Sequence, residues 1–126
     1  MKAIFINDSE FPYSAFILNG FKTYETRNRQ TLRHLRGERV AVIRTGRGRT
    51  MVIGEVTIGG ATVVGHDDFL RWISRTYVFP DSKFYPKPGE KKYCYRMLSP
   101  EWYPVPYPLP ENVTRHGRVW CEWGES

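Results

Sequence analysis

The six residues after Phe21 combine an ammonium, a hydroxyl, a carboxylate and a guanidinium. These groups belong to Lys22, Thr23, Glu25 and Arg27. If the segment is a β-strand, alternate side chains share a face, so Thr23, Glu25 and Arg27 point to the same side. Such a carboxylate can act as a base for a hydroxyl while a cation holds a phosphate, or the cations can bind an anion without reaction. The spacing therefore predicts a polar pocket, and the alternative is an ion pair that only anchors the strand.

The chain is basic, and its excess positive charge lies close to this cluster. It has 19 Lys and Arg against 13 Asp and Glu, which gives a formal net charge of +6. Residues 22–49 contain nine of the cations and only two carboxylates. This distribution favours an acidic partner such as nucleic acid, and the alternative is a basic surface that only keeps the protein in solution.

Cations and aromatic rings near the cluster provide what a nucleic-acid interface needs. The cations that could neutralise phosphates are Lys22, Arg27, Arg29, Arg44, Arg47 and Arg49. The rings that could stack on an unpaired base are Tyr24, Tyr93, Tyr95, Trp72 and Trp102. Core packing is the alternative role of these rings. If about five phosphates of a single strand are contacted, the logarithmic salt dependence of binding should have a slope near −3.5.

The elements that must position these residues are short. Apolar runs, turn formers and prolines predict about six strands and three helices. They are a strand at 3–6, a helix from Pro12 that ends at Gly20, a helix at 29–36, strands at 40–43 and 51–58, an extension at 62–64 beyond a break at Gly59 and Gly60, a helix at 68–76 that buries Phe69, Leu70 and Ile73, and strands at 91–98 and 119–123. They favour an α+β, mainly β fold, a small β-barrel with flanking helices, in one domain over residues 1–126.

Two loops have unusual compositions. Residues 45–50 read Thr-Gly-Arg-Gly-Arg-Thr, which predicts a hairpin tip that is either an exposed turn or a finger that contacts phosphates. No Gly-Lys-Ser/Thr follows, so it is not a P-loop. Residues 100–110 contain five prolines, which predict an extended crossing of the surface. The face from Trp102 to Pro110 supports a third interpretation, a protein-interaction or regulatory module whose partner the sequence does not identify.

Several classes of protein are disfavoured. The two cysteines, Cys94 and Cys121, do not make a disulfide framework, and the three histidines are scattered, so we expect neither a metal site nor a cofactor. No stretch approaches the ~18 apolar residues of a membrane span, and the first residues do not resemble a signal peptide. We therefore expect a soluble cytoplasmic protein without a membrane partner.

Three segments, in order, resemble the ASCH domain of the PUA-like superfamily. The first is Ile-Leu-Asn-Gly at 17–20 followed by Lys-Thr-Tyr-Glu-Thr-Arg at 22–27. The second is the strand that ends in Val-Ile-Gly-Glu-Val at 52–56, and the third is Arg-His-Gly-Arg-Val-Trp at 115–120. The resemblance covers nearly the whole chain, although the proline-rich stretch is not part of it. It implies a PUA-like barrel with a cleft lined by Lys22, Thr23, Glu25 and Arg27, in a family proposed to bind RNA.

The resemblance also implies two possible reactions in that cleft. Some members of the family cleave single-stranded RNA, and one branch resembles an amidohydrolase that removes the acetyl group of acetylcytidine. In that branch the third position after the lysine is a threonine nucleophile, and here it is Glu25. Thr23 offers a hydroxyl, but neighbouring strand residues face opposite sides, so contact with Lys22 is not assured. If the protein is an enzyme, Lys22, Glu25 and Thr23 are its candidate catalytic residues, and binding of RNA or a nucleotide is the main prediction.

Overall fold

The computed structural model describes residues 1–124, which form a mixed seven-stranded sheet with a few short helices. In chain order the elements are β1 (Lys2–Asn7), α1 (Tyr13–Leu18), β2 (Tyr24–Arg27), a 3₁₀ turn (Arg33–Leu35), β3 (Arg39–Thr45), β4 (Met51–Gly65), α2 (His66–Phe69), a second 3₁₀ turn (Leu70–Trp72), α3 (Ile73–Thr76), β5 (Lys91–Pro108), β6 (Thr114–His116) and β7 (Trp120–Glu122). The mainly β class is therefore as predicted.

The sheet is open, which differs from the predicted closed barrel. Its strand order is β2-β5-β4-β3-β1-β7-β6. β1 and β3 are parallel, and every other pair is antiparallel. The four residues of β2 pair only with β5, and the three residues of β6 pair only with β7 within residues 1–124. The two outermost strands are thus not joined to each other, so hydrogen bonds do not close the sheet.

Apolar side chains pack on both faces of the sheet. On one face Ile4 and Val42 lie in the larger core together with Ile17 of α1 and Phe69 of α2. On the other face Phe5 belongs to a smaller core. Since successive strand residues point to opposite faces, burial on both faces explains why β1 is an unbroken apolar run.

The proline-rich segment continues β5 rather than forming a loop. Residues 101–108 pair with β4, so the predicted extended conformation is a strand at the sheet's far end. Tyr103 and Tyr107 of this stretch pack against the smaller core. Trp102 and Val105 are exposed by 41% and 77%. A protein partner on that exposed side stays a prediction.

β4 runs through the two glycines that were expected to interrupt it. The pairing with β5 shifts between Ile58 and Ala61, so Gly59 and Gly60 form an irregularity within a continuous strand. A Cβ on Gly59 would lie 2.9 Å from the Cβ of Arg96, which explains why a residue without a side chain occupies this position. The predicted strand break is therefore a bulge.

Two predicted helices differ from the structure. The helix expected at 29–36 is only the 3₁₀ turn, although Leu32 and Leu35 are buried as their spacing suggested. The helix expected at 68–76 begins at His66 and is interrupted by the second 3₁₀ turn. Leu70, expected in the core, is 65% exposed because that turn changes the residue period. Within residues 1–124, no helix is long and apolar enough to cross a membrane.

Candidate anion-binding cleft

A cleft of about 280 Å³ opens where β1 and β2 face each other. It is lined by Phe5, Ile6, Asn7, Tyr13, Lys22, Glu25, Thr26, Arg27, Asn28, Thr45, Val78, Phe84, Lys92 and Arg118. Four of these side chains are cationic and one is a carboxylate. The chain segments that supply them are distant in sequence, so the fold assembles the cleft.

The end of α1 places Lys22 at the bottom of the cleft. After the helix, Gly20 adopts a positive φ of 81°, and the N–H groups of Phe21 and Lys22 both donate to the Phe16 carbonyl at 2.9 Å. This turn is one that glycine favours at a helix C-terminus. It directs the Lys22 side chain inward, where the residue is only 1% exposed.

The ammonium of Lys22 is surrounded by acceptors. It donates to the Thr76 carbonyl at 2.6 Å and lies 3.4 Å from Oε1 of Glu25. It also lies 5.0 Å from the centre of the Tyr13 ring, an arrangement typical of a cation–π contact. Burial lowers the pKa of Lys22, and the charge of Glu25 opposes that shift.

Glu25 links Lys22 to Arg27. Its Oε2 lies 3.1 Å from Nη2 of Arg27, and the same nitrogen donates to the Phe5 carbonyl at 2.9 Å. Glu25 and Arg27 therefore lie on one side of β2, as the alternation of a strand predicts. Because Arg27 also bonds to β1, the pair ties the edge strand β2 across the cleft to the opposite wall.

Thr23 is held by its backbone. Its N–H donates to the Arg75 carbonyl at 2.9 Å, and its carbonyl accepts from the Met97 N–H at 2.8 Å. Thr23 does not line the cleft. The contacts of the Lys22 ammonium are a carbonyl, a carboxylate and a ring, not a hydroxyl. This arrangement suits electrostatic binding better than activation of a nucleophile.

Two cleft cations were not among the sequence candidates. Lys92, at the start of β5, is 8% exposed and donates a hydrogen bond to the side-chain oxygen of Asn28. Burial lowers the pKa of Lys92, an effect that the charge of Glu90 opposes. Arg118 lies in the exposed turn between β6 and β7. Its guanidinium has no hydrogen bond or ion pair within the part of the chain that the structure describes.

A partial signal for these two residues is present in the sequence. The run of two lysines at 91–92 opens a strand, and alternation puts one of them on the same side as the buried Cys94. Arg118 follows Gly117, whose positive φ of 65° forms the hairpin turn. Neither signal identifies the cleft, because contact with β2 depends on strand pairing that periodicity does not specify.

The other candidate arginines lie outside the cleft. Arg29 is exposed just beyond β2. Arg44 is half-buried, and Arg47 and Arg49 are exposed at the tip of the β3–β4 hairpin. That tip is close to the cleft, because a Cβ on Gly46 would lie 2.3 Å from Oδ1 of the cleft residue Asn7. The hairpin can therefore extend the positive surface from the cleft rim outward.

The candidate stacking tyrosines do not line the cleft. Tyr24 packs edge-on against Trp72 with ring centres 4.9 Å apart, on the opposite side of β2. Tyr93 is half-buried against the larger core, next to Lys91. Tyr95 is only 2% exposed, so its ring cannot stack on a base. Residues 93–98 do not alternate strictly because the pairing of β4 with β5 shifts opposite them.

Aromatic side chains that do line the cleft are Phe5, Tyr13 and Phe84. Tyr13 and Phe84 pack edge-on with ring centres 6.1 Å apart. They form an apolar wall beside the cations. No group of three His, Cys, Asp or Glu within residues 1–124 is arranged to hold a metal ion.

Solved structures with a similar fold come from one bacterium. An ASCH protein from Zymomonas mobilis is 18% identical with a TM-score of 0.64, and the match covers 86% of this chain and 73% of that chain. A serine-to-alanine variant of the ASCH protein from that organism is 17% identical with a TM-score of 0.74, over 98% and 87% of the two chains. A tyrosine-to-phenylalanine variant is 20% identical with a TM-score of 0.69, over 86% and 75%.

At the level of sequence, no protein-family model matches the chain, and no curated protein matches it. The likeness is therefore one of structure, and it extends over nearly the whole chain in one of the three comparisons. The strand order, the short helices and the position of Lys22 after α1 are all part of the matched region. This chain has the fold of the ASCH domain.

Proposed function

We propose that the protein binds RNA or a nucleotide in the cleft between β1 and β2. The observation that carries the proposal is the convergence of four cations on a cleft with a single carboxylate. Both oxygens of that carboxylate, Glu25, already face Lys22 and Arg27. Lys92 and Arg118 therefore contribute positive charge that no carboxylate of the cleft neutralises, which favours an anionic ligand.

The apolar wall suits the uncharged part of a nucleotide. Phe5, Tyr13 and Phe84 lie beside the cations, so a base or sugar can contact a ring while its phosphate meets an ammonium or guanidinium. The amides of Asn7 and Asn28 and the hydroxyls of Thr26 and Thr45 supply donors and acceptors for base edges. Small-molecule sites commonly combine an apolar lining with a few polar groups in this way.

The proposal includes three properties that the fold alone leaves open. We propose a relation to the PUA-like superfamily, which the three sequence segments support. We also propose that residues 1–126 form a single domain and that the protein works in the cytoplasm, where RNA and nucleotides are available.

Fluorescence anisotropy with a short single-stranded RNA tests the proposal. Arg118→Gln and Lys92→Gln should each weaken binding, because each removes a cation from the cleft. Arg71→Gln is the matched control, since Arg71 is exposed and pairs with Asp68 outside the cleft. The slope of log affinity against log salt should be near −3.5 for about five phosphates and should become shallower by about 0.7 for each cleft cation lost. A slope near zero, or equal binding by all four proteins, would refute the proposal.

A hydrolase that uses the same cleft is the second candidate. The observation in its favour is a fully buried lysine with a lowered pKa beside a carboxylate, a combination often found at catalytic sites. Single-stranded RNA and acetylcytidine, incubated with the protein and with Lys22→Ala, provide the test. A product that depends on Lys22 would support the hydrolase, and its absence from both incubations would leave binding as the function.

A further inference from the structure

We infer that the cleft recognises a terminal phosphate, the phosphomonoester at an end of an RNA strand or on a mononucleotide, in preference to an internal phosphodiester. This inference rests on the proposed function and narrows its ligand. Three features of the cleft lead to it: its net charge, its size, and the uncommitted guanidinium of Arg118.

The charge of the cleft matches a dianion. Four cations against one carboxylate give a formal charge of +3 when Lys22 is protonated and +2 when it is neutral. A terminal phosphate carries about −1.5 to −2 charges at pH 7 and three strong acceptor oxygens. An internal phosphodiester carries one charge, and a nucleoside carries none. Of the three, the terminal phosphate leaves the least unbalanced charge in a partly buried site.

The size of the cleft suits one nucleotide rather than a strand passing through. Its volume is about 280 Å³, at the lower end of the range for small-ligand pockets. Its walls come from both sides of the sheet's edge, with β1 opposite β2 and with Phe84 and Arg118 contributed by separate loops. An internal nucleotide needs an exit for the chain at both of its ends, whereas a terminal nucleotide needs one.

The side chain of Arg118 is available to a ligand. Within residues 1–124 it makes no hydrogen bond or ion pair, and it lies in an exposed turn. By contrast, Arg27 is already bonded to Glu25 and to the Phe5 carbonyl. A guanidinium can donate two parallel hydrogen bonds to a phosphate, and a terminal phosphate presents three oxygens for them. Arg118 is thus the residue from which we expect most of the preference.

A competition experiment tests the inference. A fluorescent RNA bound to the protein is displaced by unlabelled oligonucleotides of one sequence that carry a 5′-phosphate, a 3′-phosphate, or hydroxyls at both ends. A fourth competitor, one nucleotide longer with hydroxyl ends, adds a phosphodiester charge without a terminal phosphate. One phosphorylated oligonucleotide should compete about tenfold better than both hydroxyl-ended ones, as one additional charge-assisted hydrogen bond would produce. Which end is preferred then identifies the source of the phosphate.

The variants separate this inference from the proposed function. Arg118→Gln should abolish the preference, Lys92→Gln should reduce it, and Arg71→Gln should retain it. Equal competition by all four oligonucleotides, with RNA binding still weakened by Lys92→Gln, would overturn the terminal-phosphate inference and leave the proposed function standing. No RNA binding at all would overturn both. A preference that survives Arg118→Gln and Lys92→Gln would place phosphate recognition outside the cleft and would also overturn the inference.

Discussion

Lys22 and Glu25 form an ion pair at the bottom of the cleft, with Nζ and Oε1 separated by 3.4 Å. The lysine side chain is 1% exposed and the glutamate side chain 12%. Arg27 contacts the other oxygen of the same carboxylate. A single carboxylate therefore balances two partly or fully buried cations, and the stability of this region depends on it.

Replacing Glu25 should destabilise the fold strongly. In Glu25→Gln, Lys22 loses its counter-charge, and breaking a buried ion pair from one side costs about 3 kcal/mol of unfolding free energy. Since Glu25 raises the pKa of Lys22, the variant lowers that pKa further in the folded state, while the unfolded value stays about 10.4. The unfolded chain then binds more protons, so the variant gains stability as pH rises. Urea unfolding at pH 7 and pH 9.5 should show a smaller loss at the higher pH.

Glu38→Gln is the control for that measurement. Glu38 pairs with Lys2 at 3.1 Å, but both side chains are about 40% exposed. Exposed pairs contribute about 0–1 kcal/mol, so this variant should unfold near the wild-type urea concentration at both pH values. Equal losses for the two variants, or a loss for Glu25→Gln that grows with pH, would contradict the buried-pair interpretation.

The close approach of β4 and β5 requires glycine at position 54. A Cβ there would lie 2.4 Å from the Glu101 carbonyl oxygen and 2.8 Å from Leu18, so Gly54→Ala forces the strands apart. We expect a loss of about 2 kcal/mol, typical of overpacking, measured by urea unfolding. Gly65→Ala is the matched control, because its nearest neighbour would be 3.9 Å away and its φ is −81°. The idea fails if both variants unfold at the same urea concentration.

Glu55 should make stability depend on acid pH. Hydrogen bonds from Arg39, and then from Tyr103, hold the pKa of Glu55 below its ordinary value. The stabilisation from a carboxyl with a lowered pKa is complete above the unfolded pKa, about 4.3, and is lost as pH falls through the folded pKa. With a partly exposed side chain, Glu55→Gln should cost about 1 kcal/mol at pH 7.

Thermal unfolding of wild type and Glu55→Gln from pH 7 to pH 3 checks that expectation. The difference in Tm should shrink below pH 4, because protonation removes from the wild type the interaction that the variant already lacks. A difference that stays constant over this range would show that packing, not charge, accounts for the effect.

The arginines of the β3–β4 hairpin should contribute to affinity without contributing to end recognition. Arg47 and Arg49 are exposed beside the cleft rim. If both contact phosphates, the double variant Arg47→Gln/Arg49→Gln should make the salt slope for single-stranded RNA shallower by about 1.4. Its preference for a terminal phosphate should be unchanged. An unaltered slope would show that the hairpin is only an exposed turn.

Features that depend on near neighbours in the chain could be predicted from the sequence. The shared side of Glu25 and Arg27 follows from the two-residue period of a strand, and the position of Lys22 follows from a helix that ends at Gly20. The mainly β class and the hairpin at 45–50 follow from apolar runs and turn residues. The resemblance to the ASCH domain was also visible in short segments, and the structural comparisons confirm it at the level of the fold.

Only the tertiary structure decided which distant residues meet the cluster. Lys92 reaches the cleft because β5 pairs with β2, and Arg118 reaches it because β7 pairs with β1. Tyr95 is buried where the bulge at Gly59 and Gly60 shifts the strand register. The same pairings leave the sheet open instead of closing it. Sequence alone determined the cluster from Lys22 to Arg27, since its geometry is local, whereas the cleft's charge and shape arise from strand pairing between residues far apart in the chain.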